Sequence, residues 1–303
     1  FTALAAEPLD VDEVAAKLRL GASRRAVSDF LDALVALGLL ERDAGRYSNT
    51  PASDALLDEA KTSYAGGLGE LLAARGYDLW ATLTTALRTG DLHSQGQSRA
   101  KAASGSQNGT RRFVRAMTAG SMRAAQIMAR QFPWDGYATF VDVGTAEGCL
   151  PVQLALARPH LSGWGLDLPA HRPFFESYVA SFGLGDRLAF FAGNFLTDPL
   201  PATDVVVLGN ILCILDPGDK RRVLERVHSH LPPGGALIVY GSLIDGRRSN
   251  SAALLTALGL SLSPGEKLLF SADTCSGWLR ELGFSQVTTQ PLDGPRTMVT
   301  GLK

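Results

Sequence analysis

The sequence predicts an α/β protein with a smaller, mostly helical unit in front of it. Three observations carry that prediction. From residue 138 onward the short apolar runs "TFVDVG", "SGWGLDL", "RLAFFAGN", "DVVVLGN" and "ALIVYGSLI" alternate with helical segments at 149–158, 171–182 and 218–231. Near-continuous apolar strands with helical crossovers belong to a mostly parallel sheet covered on both faces. After the helical "ADTCSGWLRELGF", the runs "SQVTTQPL" and "RTMVTGLK" flank a "DGP" turn and predict a terminal antiparallel hairpin. Ahead of residue 100 the pattern is helical instead.

In that first part, "DVDEVAAKLRL" has apolar residues at helical spacing. "RRAVSDFLDALVALGLL" follows the turn "GAS", and Val27, Phe30, Leu31, Leu34, Val35 and Leu37 are expected to form one apolar stripe that stops at Gly38. "LLERDAGRYSNT" reads as a hairpin turning at "DAG". Two helices, a turn and a hairpin make a winged helix-turn-helix. DNA binding is the sharp possibility for such a unit, but Asp29, Asp32, Glu41 and Asp43 follow or flank Arg24 and Arg25 on the second helix. A groove-reading helix needs a basic exposed face, so dimerisation or a scaffold role is favoured. Residues 64–90 read as two further helices broken at Gly76. "SQGQSRAKAASGSQNGT" reads as a linker, and "RRFVRAMTAGSMRAAQIMARQF" as an amphipathic helix whose apolar positions include Phe113, Met117, Ala124, Ile127 and Met128. The expected organisation is a winged-helix unit over 1–93, a linker over 94–110 and a sheet domain over 111–303.

The 303 residues, 46% of them hydrophobic, suffice for one large core or two smaller ones. A formal net charge of −1 argues against a nucleic-acid partner. Cys149, Cys213 and Cys275 are far apart and form no CxxC, so neither a metal site nor a disulfide framework is expected, and the thiols suit a cytoplasmic location. The apolar runs are strand-length, so no membrane partner is expected. The chain opens at Phe1 rather than Met, so further N-terminal residues are expected to precede it.

Ligands of such sheets bind beyond the carboxyl ends of the strands. Strand one ends in "DVGTAEG", Asp142 to Gly148, and strand two ends in Asp167, at the spacing of a carboxylate that binds ribose hydroxyls. The three-glycine dinucleotide fingerprint is absent, and so is a Walker lysine. What remains is a nucleoside binder without a pyrophosphate cradle, and S-adenosylmethionine fits that description. Gly144 and Gly148 could serve a tight turn alone, and Asp167 could cap a helix. Their common place at ligand-facing strand ends favours the cofactor reading.

"RRAVSDFLDALVALGLLER", "DLWATLTTALRTG", "AMTAGS", "FPWDGYATFVDVGTAEG", "GLDLP", "DPLPATDVVVLGNIL" and "LPPGGALIVY" together span nearly the whole chain. On these motifs it resembles the class I S-adenosylmethionine-dependent O-methyltransferases that carry a winged-helix dimerisation domain. These have a Rossmann-like catalytic domain and act on plant phenolics or on actinobacterial polyketide and aromatic natural products. The resemblance implies that Ser121 and Gly144 hold the methionine part, Asp167 the ribose, and Leu168, Asn194 and Phe195 the adenine. Asp142, Gly148 and Gly209 complete the expected cofactor set. The family usually has Asp where Asn194 stands. The resemblance also implies a homodimer and an aromatic small-molecule substrate held between the two domains. Trp80, Phe113, Met117, Asn210, Leu212, Asn250, Leu254, Ala257 and Leu258 are the candidate walls, although at helical spacing they could equally be core.

The resemblance breaks further at the position of the catalytic base. After strand four the family pattern reads "GHILHDW", and its second His is the general base. Here the segment is "GNILCILD", with Cys213 at the base position and Asn210 at the first His. Strand five in relatives often reads "YEALID", with a Glu that orients the base, whereas "YGSLID" has Gly241 there. Cys213 could be a thiolate base, a nucleophile or a small buried hydrophobe. Its immediate sequence neighbours supply no cation to lower its pKa, which favours the last. Among the histidines, His228 and His230 are expected at the surface, His171 toward the adenine side, and His93 near the linker. His160 has no assigned role. Asp216 and Asp245 are substitute carboxylates or ordinary helix caps. Methyl transfer leads. Hydroxylation, decarboxylation or cyclisation on a retained cofactor pocket is the alternative, and a non-catalytic binding role the third.

Overall fold

The computed structural model describes residues 1–71, 73, 76–90, 107–262, 269–294 and 296–303. The chain forms two compact units, Phe1–Glu70 and Leu71–Lys303.

In the first unit, Asp10 starts helix α1 (Val11–Leu18) with a reciprocal capping box to Glu13. Ser23 caps α2 (Arg24–Ala36) by accepting from the Ala26 N–H. The hairpin β1 (Leu40–Asp43) and β2 (Arg46–Asn49) turns through Ala44 and Gly45, both at positive φ, as a two-residue hairpin turn requires. Leu9, Val11, Val14, Val27, Leu31, Leu40 and a fully buried Tyr47 make the core, and the Tyr47 phenol donates to Asp32 at 2.8 Å. Helices α3 (Pro51–Leu57) and α4 (Gly67–Leu71) follow. The single stripe expected on α2 divides. Val27 and Leu31 are buried, whereas Phe30 and Leu37 are 59% and 72% exposed. They lie off the line that meets α1 and the hairpin.

The second unit begins with α5 (Tyr77–Ala81) and α6 (Leu83–Thr89). Residues 91–106, which include most of the expected linker and His93, lie outside the described residues. The long helix α7 runs Gln107–Gln131, so Gln107 to Thr110 form its first turn rather than linker. The sheet comprises β3 (Thr139–Val143), β4 (Ser162–Asp167), β5 (Leu188–Ala192), β6 (Val205–Gly209), β7 (Ala236–Ser242), β8 (Ser285–Pro291) and β9 (Arg296–Leu302), in the order β5-β4-β3-β6-β7-β9-β8. Only β9 runs against its neighbours, as the terminal hairpin predicts. The connecting helices are α8 (Cys149–Ala157), α9 (Arg172–Ser181), α10 (Pro217–His230), α11 (Ser251–Ser261) and α12 (Ala272–Glu281).

Alternation along the strands feeds two cores. Phe140, Val205 and Val207 pack with Trp134, Met128, Leu154 and Phe175 on the face of α7, α8 and α9. Val141, Val143, Val206 and Leu208 pack with Val223, Val227, Cys275 and Leu279 on the face of α10 and α12. Strand order reverses between β3 and β6, and the crevice at that switch point lies beyond Val143 and Gly209. No helix among the described residues is long and apolar enough to cross a membrane.

At the opposite end of the same two strands, Asp204 accepts from the Ala138 and Thr139 N–H groups at 2.9 and 2.8 Å and from the Thr139 hydroxyl at 2.9 Å. Burial pushes its pKa up, but these hydrogen bonds outweigh burial and hold the carboxyl below its ordinary value. A depressed carboxylate stabilises the fold above its unfolded pKa of about 4, and that contribution is lost as pH falls through the folded value. Asp204→Ala is expected to cost about 1–3 kcal/mol at neutral pH, by leaving donors unpaired, and the deficit should shrink in acid. Urea unfolding at pH 7 and below pH 4 checks both.

Candidate active site

The loop after β3 turns through φ values of +73 at Gly144, +53 at Ala146 and +92 at Gly148. Two of these are glycines, which reach that region at no steric cost. They also make room. A Cβ on Gly144 would stand 2.2 Å from Ile211 Cδ1, and one on Gly148 would stand 2.8 Å from the Phe175 ring. Packing demands therefore account for both glycines, alongside any approach by a ligand.

Three carboxylates gather around this loop. Asp142 is 5% exposed. Burial raises its pKa to about 7, with the Thr145 hydroxyl opposing and the charge of Asp167 adding to the rise. Glu147 is half-buried. Burial raises its pKa too, against the Thr118 hydroxyl and the charges of Arg115 and Arg111. Asp167 ends β4. Its Oδ2 accepts from Ala146 N–H at 2.9 Å, and its Oδ1 from Leu168 N–H at 2.8 Å. His171 Nδ1 lies 2.7 Å from the same Oδ1. That contact, more than the burial opposing it, raises the His171 pKa.

The remaining expected residues divide between ligand edge and scaffold. Leu168 is 52% exposed beside Asp167. The Asn194 carbonyl oxygen accepts from Leu196 N–H at 3.0 Å, and Phe195 packs on the second core. Ser121 lies beside the Tyr240 phenol, whose pKa burial drives upward. The Tyr240 ring also lies against Gly209, where a Cβ would come within 2.4 Å. Asp142, Ser121, Gly209 and Tyr240 thus meet at the mouths of β3, β6 and β7.

Asn210, just past β6, has φ +56. Its N–H donates to the Tyr240 carbonyl at 2.9 Å, and its carbonyl accepts the Cys213 thiol at 3.0 Å. A Cβ on Gly241 would stand 3.2 Å from Asn210 Oδ1. Cys213 is half-buried and Leu212 fully buried. The sequence neighbours of Cys213 supply no cation, yet the fold does. Lys220, one turn into α10, is 4% exposed. Burial lowers its pKa, with the charges of Cys213 and Asp216 opposing.

Of the expected walls, Trp80 faces α11, where a Cβ on Gly259 would lie 3.5 Å from the indole. Leu254, Ala257 and Leu258 are half-buried on that helix, and Asn250 caps it through Ala253 N–H. Met117 is half-buried on α7, and Phe113 is 41% exposed one turn before it. Asp216 caps α10, whereas Asp245 accepts from Ser249 N–H and Asn250 N–H in the turn ahead of α11 and caps no helix. The His228 ring meets Phe284 edge-on and His230 contacts the Pro201 carbonyl. Both are half-buried structural contacts rather than fully solvated side chains.

Sequence reasoning missed Glu147, Tyr240 and Lys220. The Asp167–His171 pair was legible as an i,i+4 spacing in "DLPAH". Tyr240 and Lys220 had no local signal, because tertiary packing alone brings them to the site.

This chemistry suits a cationic nucleoside. Three acids beside a turned-out loop attract a sulfonium and an ammonium and can accept from a ribose diol, whereas they would repel a pyrophosphate. Comparison with known proteins agrees. Residues 80–266 match the O-methyltransferase domain family, and residues 1–59 its dimerisation domain. The tetracenomycin polyketide synthesis 8-O-methyl transferase TcmO of Streptomyces glaucescens is 39% identical, over 100% of this chain and 89% of that protein. The N,N-dimethyltransferase OxyT of Streptomyces rimosus is 36% identical, over 97% and 86%. The crystal structure of human N-acetylserotonin methyltransferase in complex with SAM superposes with a TM-score of 0.85 at 23% identity, over 100% and 90% of the two chains. The chain belongs to the O-methyltransferase family, and membership brings S-adenosylmethionine as the methyl donor.

Two outcomes follow from this geometry. Ala146 holds a left-handed conformation that costs a residue with a Cβ about 1–2 kcal/mol. Ala146→Gly, which keeps the N–H bonded to Asp167, should raise stability by up to about 1 kcal/mol after the entropic cost of glycine, read by thermal melting. In Asp167→Asn, the His171 titration followed by NMR should fall back toward about 6.5, and calorimetry should show at least tenfold weaker binding of S-adenosylhomocysteine.

Proposed function

We propose that this protein methylates an acidic oxygen on a polycyclic aromatic molecule of the polyketide type, without a side-chain general base at position 213. The observation that carries this reading is the Cys213 thiol donating to the Asn210 carbonyl. That contact occupies the sulfur in closing a turn. Gly241 leaves no carboxylate to orient a base, and Asn210 fills the space above it.

When bound, S-adenosylmethionine supplies an electrophilic methyl group on a sulfonium. The chain then has to align and desolvate. Aligning reactants can contribute about 7–11 kcal/mol without proton transfer. An acceptor such as a phenol ionised near neutral pH needs no further base. Under this reading Ser121, Asp142, Gly144, Gly148, Asp167, Leu168, Asn194, Phe195 and Gly209 serve the cofactor, and Asn210 offers the substrate an amide. Trp80, Phe113, Met117, Leu212, Asn250, Leu254, Ala257 and Leu258 supply or support its walls. The Streptomyces glaucescens relative, a tetracenomycin polyketide synthesis 8-O-methyl transferase, supports the polyketide class and the oxygen acceptor. The match to the dimerisation domain, with Phe30 and Leu37 exposed on α2, supports a homodimer.

The test is incubation with S-adenosylmethionine and a panel of polycyclic phenols, following S-adenosylhomocysteine. We expect it to form, at a rate that tracks ionisation of the acceptor. Cys213→Ala should retain activity within about threefold, because no general base, worth about 10²–10⁴, has been removed. A hundredfold loss in that variant would make the thiol the base. Consumption of acceptor without S-adenosylhomocysteine would replace methyl transfer with other chemistry on this scaffold.

A further inference from the structure

The acids around the loop after β3 suit the cationic parts of the methyl donor and repel its amino-acid carboxylate. That carboxylate calls for N–H donors on the methionine side, at Ser121. The charges of Arg111 and Arg115 on α7 act on Glu147 instead. Among the charges acting on Tyr240, whose phenol hydrogen-bonds Ser121, the cation is Arg296.

Arg296 opens β9 opposite Ser242, at the carboxyl end of β7. It shares a face of the strand with Met298, which packs in the core under α7. Its side chain is 19% exposed, and that of Asp293 in the preceding turn is 10% exposed. Nη1 donates to both Asp293 oxygens at 3.0 Å. The ion pair is thereby made, and it fixes the plane of the guanidinium. The other edge of the fork is turned elsewhere. Nε is buried without an acceptor among the described residues. Nη2 faces α7, where a Cβ on Gly120 would stand 3.5 Å away, and Gly120 is the residue before Ser121. A buried N–H without an acceptor is unfavourable and uncommon. The Nε and Nη2 N–H groups run side by side, in the geometry that pairs with the two oxygens of a carboxylate.

We propose that the Nε–Nη2 edge of Arg296 holds the α-carboxylate of the donor's methionine part. The assignment rests on the proposed placement of that part at Ser121. An amino acid brings its own ammonium, so its carboxylate needs donors rather than an unpaired charge. The Asp293–Arg296 pair stays intact on binding. The acids of the loop then serve the ammonium, sulfonium and ribose, and Arg296 serves the one group they repel.

The test is calorimetric titration of S-adenosylhomocysteine and of decarboxylated S-adenosylhomocysteine, which lacks only the carboxylate. Wild type, Arg296→Lys and Arg296→Met are compared, and thermal melting checks that each is folded. We expect the wild type to prefer the carboxylate-bearing ligand by at least about tenfold, the scale of a charge-assisted hydrogen bond. Arg296→Met should erase that preference by weakening S-adenosylhomocysteine alone. Arg296→Lys keeps a charge beside Asp293 but no fork, and should lose about threefold or more of the preference. Equal weakening of both ligands would reduce Arg296 to a structural role and overturn the assignment. A preference that survives unchanged in the variants, or is missing from the wild type, would overturn it while leaving the nucleoside site standing. A wild type that binds neither ligand would remove the placement at Ser121 and the assignment with it. The wild-type comparison and the conservative Arg296→Lys keep the test decisive even where Arg296→Met does not fold.

Discussion

The ligand edge of the sheet depends on one steric fit. The turn after β6 is seated over two glycines, with Ile211 against Gly144 on one side and Asn210 over Gly241 on the other. Neither contact tolerates a Cβ without movement of its neighbour. Through them the loop after β3, the turn after β6 and the end of β7 take up positions that are set jointly. Cys213 then closes the turn from within by donating to the Asn210 carbonyl, and Tyr240 fixes it from the sheet side through its own carbonyl.

The acidic loop is the electrostatic counterpart of that fit. Asp142 is buried at the mouth of the central strand, where its charge is disfavoured and the nearby Asp167 disfavours it further. Asp167 is supplied with two backbone N–H groups and His171. These environments divide the labour. Asp167 accepts these hydrogen bonds at the end of β4, whereas burial raises the Asp142 pKa to about 7, so that its charge is gained most readily beside a cation. A sulfonium or ammonium would supply such a cation, whereas a phosphate would not.

Strand-length apolar runs and turn chemistry made the fold legible in the sequence. An apolar run of strand length is local, so "TFVDVG" and "DVVVLGN" reveal strands without reference to anything distant. The strand-end positions of Asp142, Gly144 and Asp167 were legible for the same reason, because the ends of the apolar runs mark them. What could not be read was contact between distant segments. Lys220 reaches the neighbourhood of Cys213 only because α10 folds back under the turn. The two faces of α2 cannot be separated by hydropathy, since Phe30 is as apolar as Leu31, and only the position of α1 and the hairpin decides which is covered.

That same dependence on tertiary contact explains the altered base position better than the substitutions taken singly. Read along the chain, Asn210, Cys213 and Gly241 are three independent departures from a family pattern. In space they form one unit. Asn210 takes a left-handed conformation and sets its carbonyl where the Cys213 thiol can donate. Its amide oxygen occupies the volume that a side chain at position 241 would need, with only 3.2 Å available to the first carbon. A side chain at 241 would require Asn210 to give by a few tenths of an ångström, and an imidazole at 213 would lose the turn closure that the thiol provides. Asn210, Cys213 and Gly241 are therefore best read as a set of residues that hold one another in position, whereas Asp142 and Asp167 lie outside that set.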